Sequence, residues 1–329
     1  MLLRACRQVA LFPVTGSAWF LEGRKMKIAV MGAGAVGGYF GGVLANSGED
    51  VTLIARGAHA AAINRDGLKV KSHWGDFTVR VPATPDPATV GQVDLVLHCV
   101  KLYSNAEALP LIKPMVGPGT TILTVQNGVT SGEIIAGYYG WERVLQGATY
   151  IEAAMTGPGE IEQSGSTARI EFGERDGSKT DRTERIRQLL DRRGIQVGVS
   201  SDIVATLWTK LVAVGAFGTV MTAARASLPE VLAGSEGENT IRTVMEEIVA
   251  VGKSEGITFA PDVVEAKLHG GIEEADEFKS SLQYDLVHGK PLELDDILGA
   301  VVRKGRANDI PVPASAALVM TLENFKHGK

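Results

Sequence analysis

The chain has 329 residues, of which 45% are apolar and 22% charged, and a net charge of −5. That length accommodates two domains with separate cores, and the acidic balance gives no electrostatic reason to expect a nucleic-acid or anionic-membrane partner. The two cysteines, Cys6 and Cys99, are far apart and have no metal or redox spacing, so no disulfide framework is indicated and a reducing cytoplasm fits.

Residues 1–25 open like a signal peptide, with Arg4 and Arg7 before an apolar patch. Pro13 and Gly16 interrupt that patch, and no clean small-residue cleavage site follows. The expectation is a disordered extension, or translation that begins at Met26.

From Lys27 the order is strand (KIAVMG), glycine-rich turn, helix (AGAVGGYFGGVLANSG, closed by Gly48) and strand (DVTLIAR). This alternation predicts a parallel sheet with covering helices. LKVKSHWGDFTVRVPATPDP reads as a hairpin insertion, and VDLVLHCVK and TTILTVQNG as two further strands. Lys101 and Asn127 stand at their polar ends, on the carboxyl edge where doubly wound folds bind ligands. His98 and Cys99 read as core or strand residues. ATYIEAAMTGPGEIEQSGSTARIEFGE reads as strands with turns, DRTERIRQLLDRRG as an amphipathic helix, and IQVGVS as a last strand.

Beyond Asp202 the pattern is helical: 203–224, ENTIRTVMEEIVAVGKSEG, PDVVEAKLHGG, LELDDILGAVVRKG and ASAALVMTLENFKHG. The expected fold is α/β, an N-terminal Rossmann-type doubly wound sheet over residues 26–200 followed by an all-α C-terminal domain over residues 201–329. The first of these helices carries a single charge, Lys210, in an otherwise uncharged run. An ammonium in such a helix is costly unless it is paired or lost. It could lie along the helix surface, interrupt a membrane span, or be buried where its charge is used. The soluble half before the run argues against the span.

GAGAVG places Gly32, Gly34 and Gly37 in G-x-G-x-x-G spacing after a strand and before a helix. Gly32 permits the tight turn, Gly34 lets backbone approach a pyrophosphate, and Gly37 lets helix and strand pack closely. The whole loop, with Ala33, Ala35 and Val36, is the expected phosphate cradle. The second strand ends in Arg56, and no acidic residue occurs between Val51 and Arg65. An arginine there suits the 2′-phosphate of NADP(H), where an acidic residue would bind the NAD ribose.

The order of parts from Met26 onward resembles the ketopantoate reductases (2-dehydropantoate 2-reductases), which reduce a 2-oxo acid with NADPH. The motifs that carry the resemblance are GAGAVG, Val100-Lys101, Gln126-Asn127-Gly128, LWTKL around Lys210, and SSLQYDLVHGKPLELDDILG with Ser281, Asp285 and Glu293. The resemblance implies that Lys210 is the proton donor and Glu293 a carboxylate near lysine and cofactor. It also implies that Ser281 holds the substrate carboxylate, Asn127 stands where cofactor and substrate meet, Lys101 lies beside the nicotinamide end, and Ala153 offers a backbone contact to the cofactor. Read without the resemblance, Ser281 has the alternative of a helix cap, Glu293 that of the acidic start of a helix and Asn127 that of a turn residue, while Asp285 reads first as a structural residue.

The family pattern also has asparagines four and eight residues after the lysine, on the same helix face. Val214 and Gly218 occupy those positions here. Each lost hydrogen bond forgoes ~0.5–1.5 kcal/mol of substrate binding, which suits a 2-oxo acid with a more apolar or bulkier tail; Thr219 or Thr222 could replace part of the polar surface. The expected function is NADPH-dependent reduction of a 2-oxo acid, with 2-dehydropantoate the leading substrate. A 3-hydroxyacid dehydrogenase and an NADP-binding sensor are the alternatives. The expected partner is the small-molecule substrate, with no nucleic acid, metal or membrane, and with a homodimer through the helical domain suggested by architecture.

Overall fold

The computed structural model describes residues 25–329. The extension expected over residues 1–25 lies, apart from Lys25, outside the described residues.

Ten strands form one sheet: β1 (Lys27–Met31), β2 (Asp50–Ile54), β3 (Leu68–Ser72), β4 (Phe77–Val79), β5 (Ala83–Thr84), β6 (Val93–His98), β7 (Val116–Thr124), β8 (Val144–Gly157), β9 (Glu160–Gly173) and β10 (Gln196–Val199). Their order is β4-β3-β9-β8-β7-β6-β1-β2-β5, with β10 also paired to β9. The centre is parallel: β1 lies between β2 and β6, and β7 continues from β6. Continuous apolar runs such as Ile28–Val30, fully buried, are what a strand covered on both faces requires. The covering helices are α1 (Ala35–Asn46), α2 (Gly57–Asp66), α3 (Asn105–Leu111), α4 (Ser131–Tyr139) and α5 (Asp181–Leu190). Side chains of α1, α2 and α5 enter one core, and those of α3 and α4 the core on the opposite face.

The expected hairpin insertion is present as the antiparallel β3–β4 pair, and it extends the same sheet by pairing with β9. The β8–β9 hairpin is longer than its sequence suggests, because both strands run for 14 residues. The amphipathic helix α5 ends at Leu190, four residues before Gly194, whose positive φ belongs to the turn that follows. Helices α2, α3 and α4 are short and carry weak signals; α3 even contains Pro110.

The remaining helices are α6 (Ile203–Ala224), α7 (Leu228–Ala233), α8 (Gly237–Ser254), α9 (Val263–Glu273), α10 (Ser281–Val287), α11 (Leu298–Ala307) and α12 (Pro313–Leu322). By length and composition alone α6 could cross a membrane, but 67% of its most apolar window is buried inside the protein. Its neighbours are α8, α9, α10, α11 and α12, and β8 lies against it as well, so it is apolar on every side. Asp202 caps its start by accepting from Ala205 N at 2.9 Å, and Arg225, left-handed at φ 54°, ends it.

Three helices differ from expectation: α7 and α10 fall outside the expected runs, and α11 starts late. The run from Leu292 does not start helical; α11 begins at Leu298. Residues 294–297 form an irregular turn closed by Gly299 N donating to Leu294 O at 2.8 Å. Glu293 therefore precedes a turn, and its carboxylate is bound across the molecule.

Candidate active site

The glycine loop leaves β1 and enters α1. Gly32 has φ +93°, and a Cβ there would meet Val100 Cγ1 at 2.7 Å and Val100 N at 2.8 Å. A Cβ on Gly37 would run into the Gly32 carbonyl, so only glycine allows this contact of helix with turn. Gly34, by contrast, faces open space. Among the described residues no side chain caps α1, and no acidic residue lies in its first turn. Uncapped N–H groups, a positive dipole end and an open backbone face fit a dinucleotide pyrophosphate. His59 of α2 supports the loop from behind, with Nε2 at 2.8 Å from Ala33 O and Nδ1 accepting from Gly159 N at 2.9 Å. Arg56, just beyond β2, has a 74% exposed side chain and pairs with exposed Glu107 at 3.0 Å. An exposed pair contributes only ~0–1 kcal/mol, so the guanidinium is open to a phosphate.

Lys210 projects from α6 toward the carboxyl edge of the sheet. Its ammonium donates to Asn127 Oδ1 at 2.9 Å and to Thr149 O of β8 at 2.6 Å. Nζ also lies 5.4 Å from the centre of the Tyr150 ring. Burial lowers the Lys210 pKa to about 8, against an opposing pull from Glu293. Asn127 is brought there by the turn at Gly128, with φ +81°, where a Cβ would meet Asp296 O at 2.5 Å. The turn reading and the site reading of Asn127 therefore describe one arrangement.

Lys101 meets two buried carboxylates, Asp285 at 3.0 Å and Glu293 at 2.9 Å. The second oxygen of Glu293 accepts from Leu102 N at 3.0 Å. Burial alone would lower the Lys101 pKa, but the two carboxylates more than reverse this and hold it above the ordinary lysine value. Asp285 is thus bound into the site's charge system, a partnership that sequence spacing could not reveal. Glu293 bonds Lys101, while toward Lys210 it acts through its field.

Behind these loops lies a buried polar cluster. Gln126 Nε2 donates to Val100 O at 2.8 Å and to Asn105 Oδ1 at 2.8 Å. Its Oε1 accepts from Thr124 Oγ1 at 3.1 Å and from Asn105 Nδ2 at 3.3 Å. His98 Nε2 lies 2.9 Å from the same Asn105 Oδ1, and burial lowers the His98 pKa to about 4. The expectation of a core histidine holds, with its Nδ1 lacking a partner among the described residues.

Other expected positions are less engaged. Ser281 is the exposed first residue of α10, and the helix cap is its neighbour Ser280, which accepts from Gln283 N at 3.2 Å. Ala153 lies on β8 opposite Gln163, past a register shift after Ile151. Val214 is partly buried, and a Cβ on Gly218 would stand 3.2 Å from Ser280 Oγ. Neither threonine supplies the missing polarity: Thr222 donates to Gly218 O at 2.5 Å, and Thr219 is fully buried, its hydroxyl without a partner among the described residues.

This arrangement matches known proteins over most of its described length. The family "Ketopantoate reductase PanE/ApbA" matches residues 28–177, and its C-terminal counterpart residues 202–325. A 2-dehydropantoate 2-reductase of Mesorhizobium japonicum is 30% identical over 315 residues, covering 89% of this chain and 96% of that one. The 2-dehydropantoate 2-reductase structure from Geobacter metallireducens aligns with a TM-score of 0.86 at 32% identity, over 91% of this chain and 99% of that one. A D-mandelate dehydrogenase structure with NADH and anilino(oxo)acetate aligns with a TM-score of 0.84 at 25% identity, over 92% and 98%.

Proposed function

This chain belongs to the ketopantoate reductase family, NADP(H)-dependent oxidoreductases acting on CH–OH groups, and from that premise we propose that it reduces a 2-oxo acid to the 2-hydroxy acid. The observation that carries the reading is the Lys210 ammonium, held by Asn127 and the Thr149 carbonyl with its pKa brought down to about 8. NADPH supplies the hydride when bound. Arriving hydride leaves negative charge on the substrate carbonyl oxygen; Lys210 stabilises that charge and then donates its proton to it. An ordinary lysine, near ~10.4, gives up a proton less readily at neutral pH. The Glu293 carboxylate opposes the lowering of the Lys210 pKa and favours the charged form of Lys210. Lys101, Asn127 and Ser281 are assigned to substrate and nicotinamide, and Gly32–Gly37, Arg56 and Ala153 to the rest of the cofactor.

2-Dehydropantoate, reduced to pantoate on the route to pantothenate, is the first substrate to test. A second reading, a 2-oxo acid with an apolar tail, is favoured by Val214 and by Ser280 closing on Gly218. The D-mandelate dehydrogenase neighbour, bound to anilino(oxo)acetate, supports it. We further place the protein in the cytoplasm, acting on a small molecule with no nucleic-acid or membrane partner, as a homodimer.

The test is NADPH oxidation across a panel of 2-oxo acids, from 2-dehydropantoate to branched and aryl compounds, with wild type and Lys210→Ala. Turnover that the substitution abolishes supports the reading. Oxidation of 3-hydroxy acids with no activity on any 2-oxo acid would overturn it.

A further inference from the structure

The loops after β6 and β7 carry Lys101 and Asn127, and neither loop is held to the other by the sheet ladder at the point where those residues stand. The ladder contact nearest the site is Val125 N donating to His98 O at 3.2 Å. Beyond it, the tie is the Gln126 carboxamide. Both its N–H groups and both its lone-pair directions are used, on Val100 O, Asn105 Oδ1, Thr124 Oγ1 and Asn105 Nδ2. That saturation fixes which way the amide points. It also leaves Gln126 nothing to offer a ligand, and the residue is only 5% exposed.

Asn105 Oδ1 accepts from Gln126 as well as facing His98 Nε2, so that ring nitrogen must carry the proton. His98 is therefore a neutral donor that pins Asn105, and Asn105 pins Gln126. The chain of contacts ends on Val100, the residue before Lys101, and on Gln126 itself, the residue before Asn127. We propose that Gln126 is a positioning residue: its amide sets the separation of Lys101 and Asn127, and so of the Lys101 and Lys210 ammonium groups, before any ligand arrives. Small displacements of positioned groups are costly for rate.

The kinetic part of this inference rests on the reductase reading, so the test has a part that does not. Lys101 of the ligand-free protein is labelled with dinitrofluorobenzene and followed by peptide mass spectrometry in wild type, Gln126→Met and Thr120→Val. Thr120 is the control: its buried hydroxyl, in the middle of β7, donates to Val93 O at the start of β6 at 2.6 Å. Gln126→Met is expected to raise the Lys101 labelling rate about tenfold, the factor that one lost buried hydrogen bond commands. It should also lower kcat by a similar factor. Thr120→Val is expected to lower the melting temperature and leave labelling and kcat unchanged. Should Gln126→Met not fold, Asn105→Ala removes two of the four amide bonds and is expected to move labelling the same way. Wild-type labelling in the Gln126 or Asn105 variant, or an equal rise in Thr120→Val, overturns the proposal. Faster labelling in a protein that turns over no 2-oxo acid would leave the positioning role standing and remove the reductase reading instead.

Discussion

Raising the pH through 8 should titrate Lys210 and switch reduction off. The Lys210 pKa stands at about 8, lowered by burial and partly restored by Glu293. A proton donor is loaded below its pKa and empty above it, so the rate is full on the acid side and falls as pH rises. At pH ~9 about one tenth of Lys210 keeps its proton, whereas a lysine at the ordinary ~10.4 would still be ~96% loaded. The assay is kcat for 2-oxo acid reduction at saturating NADPH, from pH ~7 to ~10.5. It should show a limb of unit slope with a midpoint near 8. Glu293→Gln removes the carboxylate that pulls the pKa up, so its midpoint should move to lower pH. Lys210→Arg keeps a cation that does not titrate in this range, and its residual rate should lose the limb. A wild-type profile flat to pH ~10, or a limb that persists in Lys210→Arg, would refute the assignment of the proton to Lys210.

Three other outcomes follow from the same geometry. Lys101→Met leaves Asp285 and Glu293 facing each other without their shared cation. Breaking a fully buried pair costs ~3–5 kcal/mol, and since the Lys101 side chain is 38% exposed we expect ~1–3 kcal/mol, read as a lower denaturant midpoint at unchanged m-value. Arg56→Ala should raise KM for NADPH about tenfold or more and leave KM for NADH nearly unchanged, checked by steady-state kinetics with both cofactors. Val214→Asn should shift kcat/KM toward 2-oxo acids with hydroxylated tails, by about tenfold relative to apolar ones, in paired panel assays.

What the sequence disclosed here was mostly local. The turn at Gly32, the packing at Gly37 and the strand–helix alternation are written in neighbouring residues, and the structure bears them out. Lys210 stood out because one charge in an apolar run is conspicuous. Its partners were hidden: Asn127 is 83 residues away, and the Thr149 contact is a backbone carbonyl that no residue type announces. Asp285 read as structural because only the fold brings it to Lys101, 184 positions earlier. The start of α11 was misjudged because Glu293 is anchored on Leu102 N, a tertiary tie that propensity cannot register. Ser280 and Ser281 show the finest limit, since adjacent serines are alike in sequence while only Ser280 caps the helix.

The contact between Gly218 and Ser280 has a consequence for how such a site can change. With only 3.2 Å between a Cβ at 218 and Ser280 Oγ, a larger residue at 218 meets the cap of α10 before it reaches any substrate. The two positions are coupled, and their effects will not add. A lineage or an engineer moving toward a polar tail pocket gains by making room at 280 before enlarging 218, because in the reverse order the Ser280 side chain that caps α10 must shift to admit the new Cβ. Substrate range in this molecule is therefore a matter of the order in which substitutions arrive as much as of their identity.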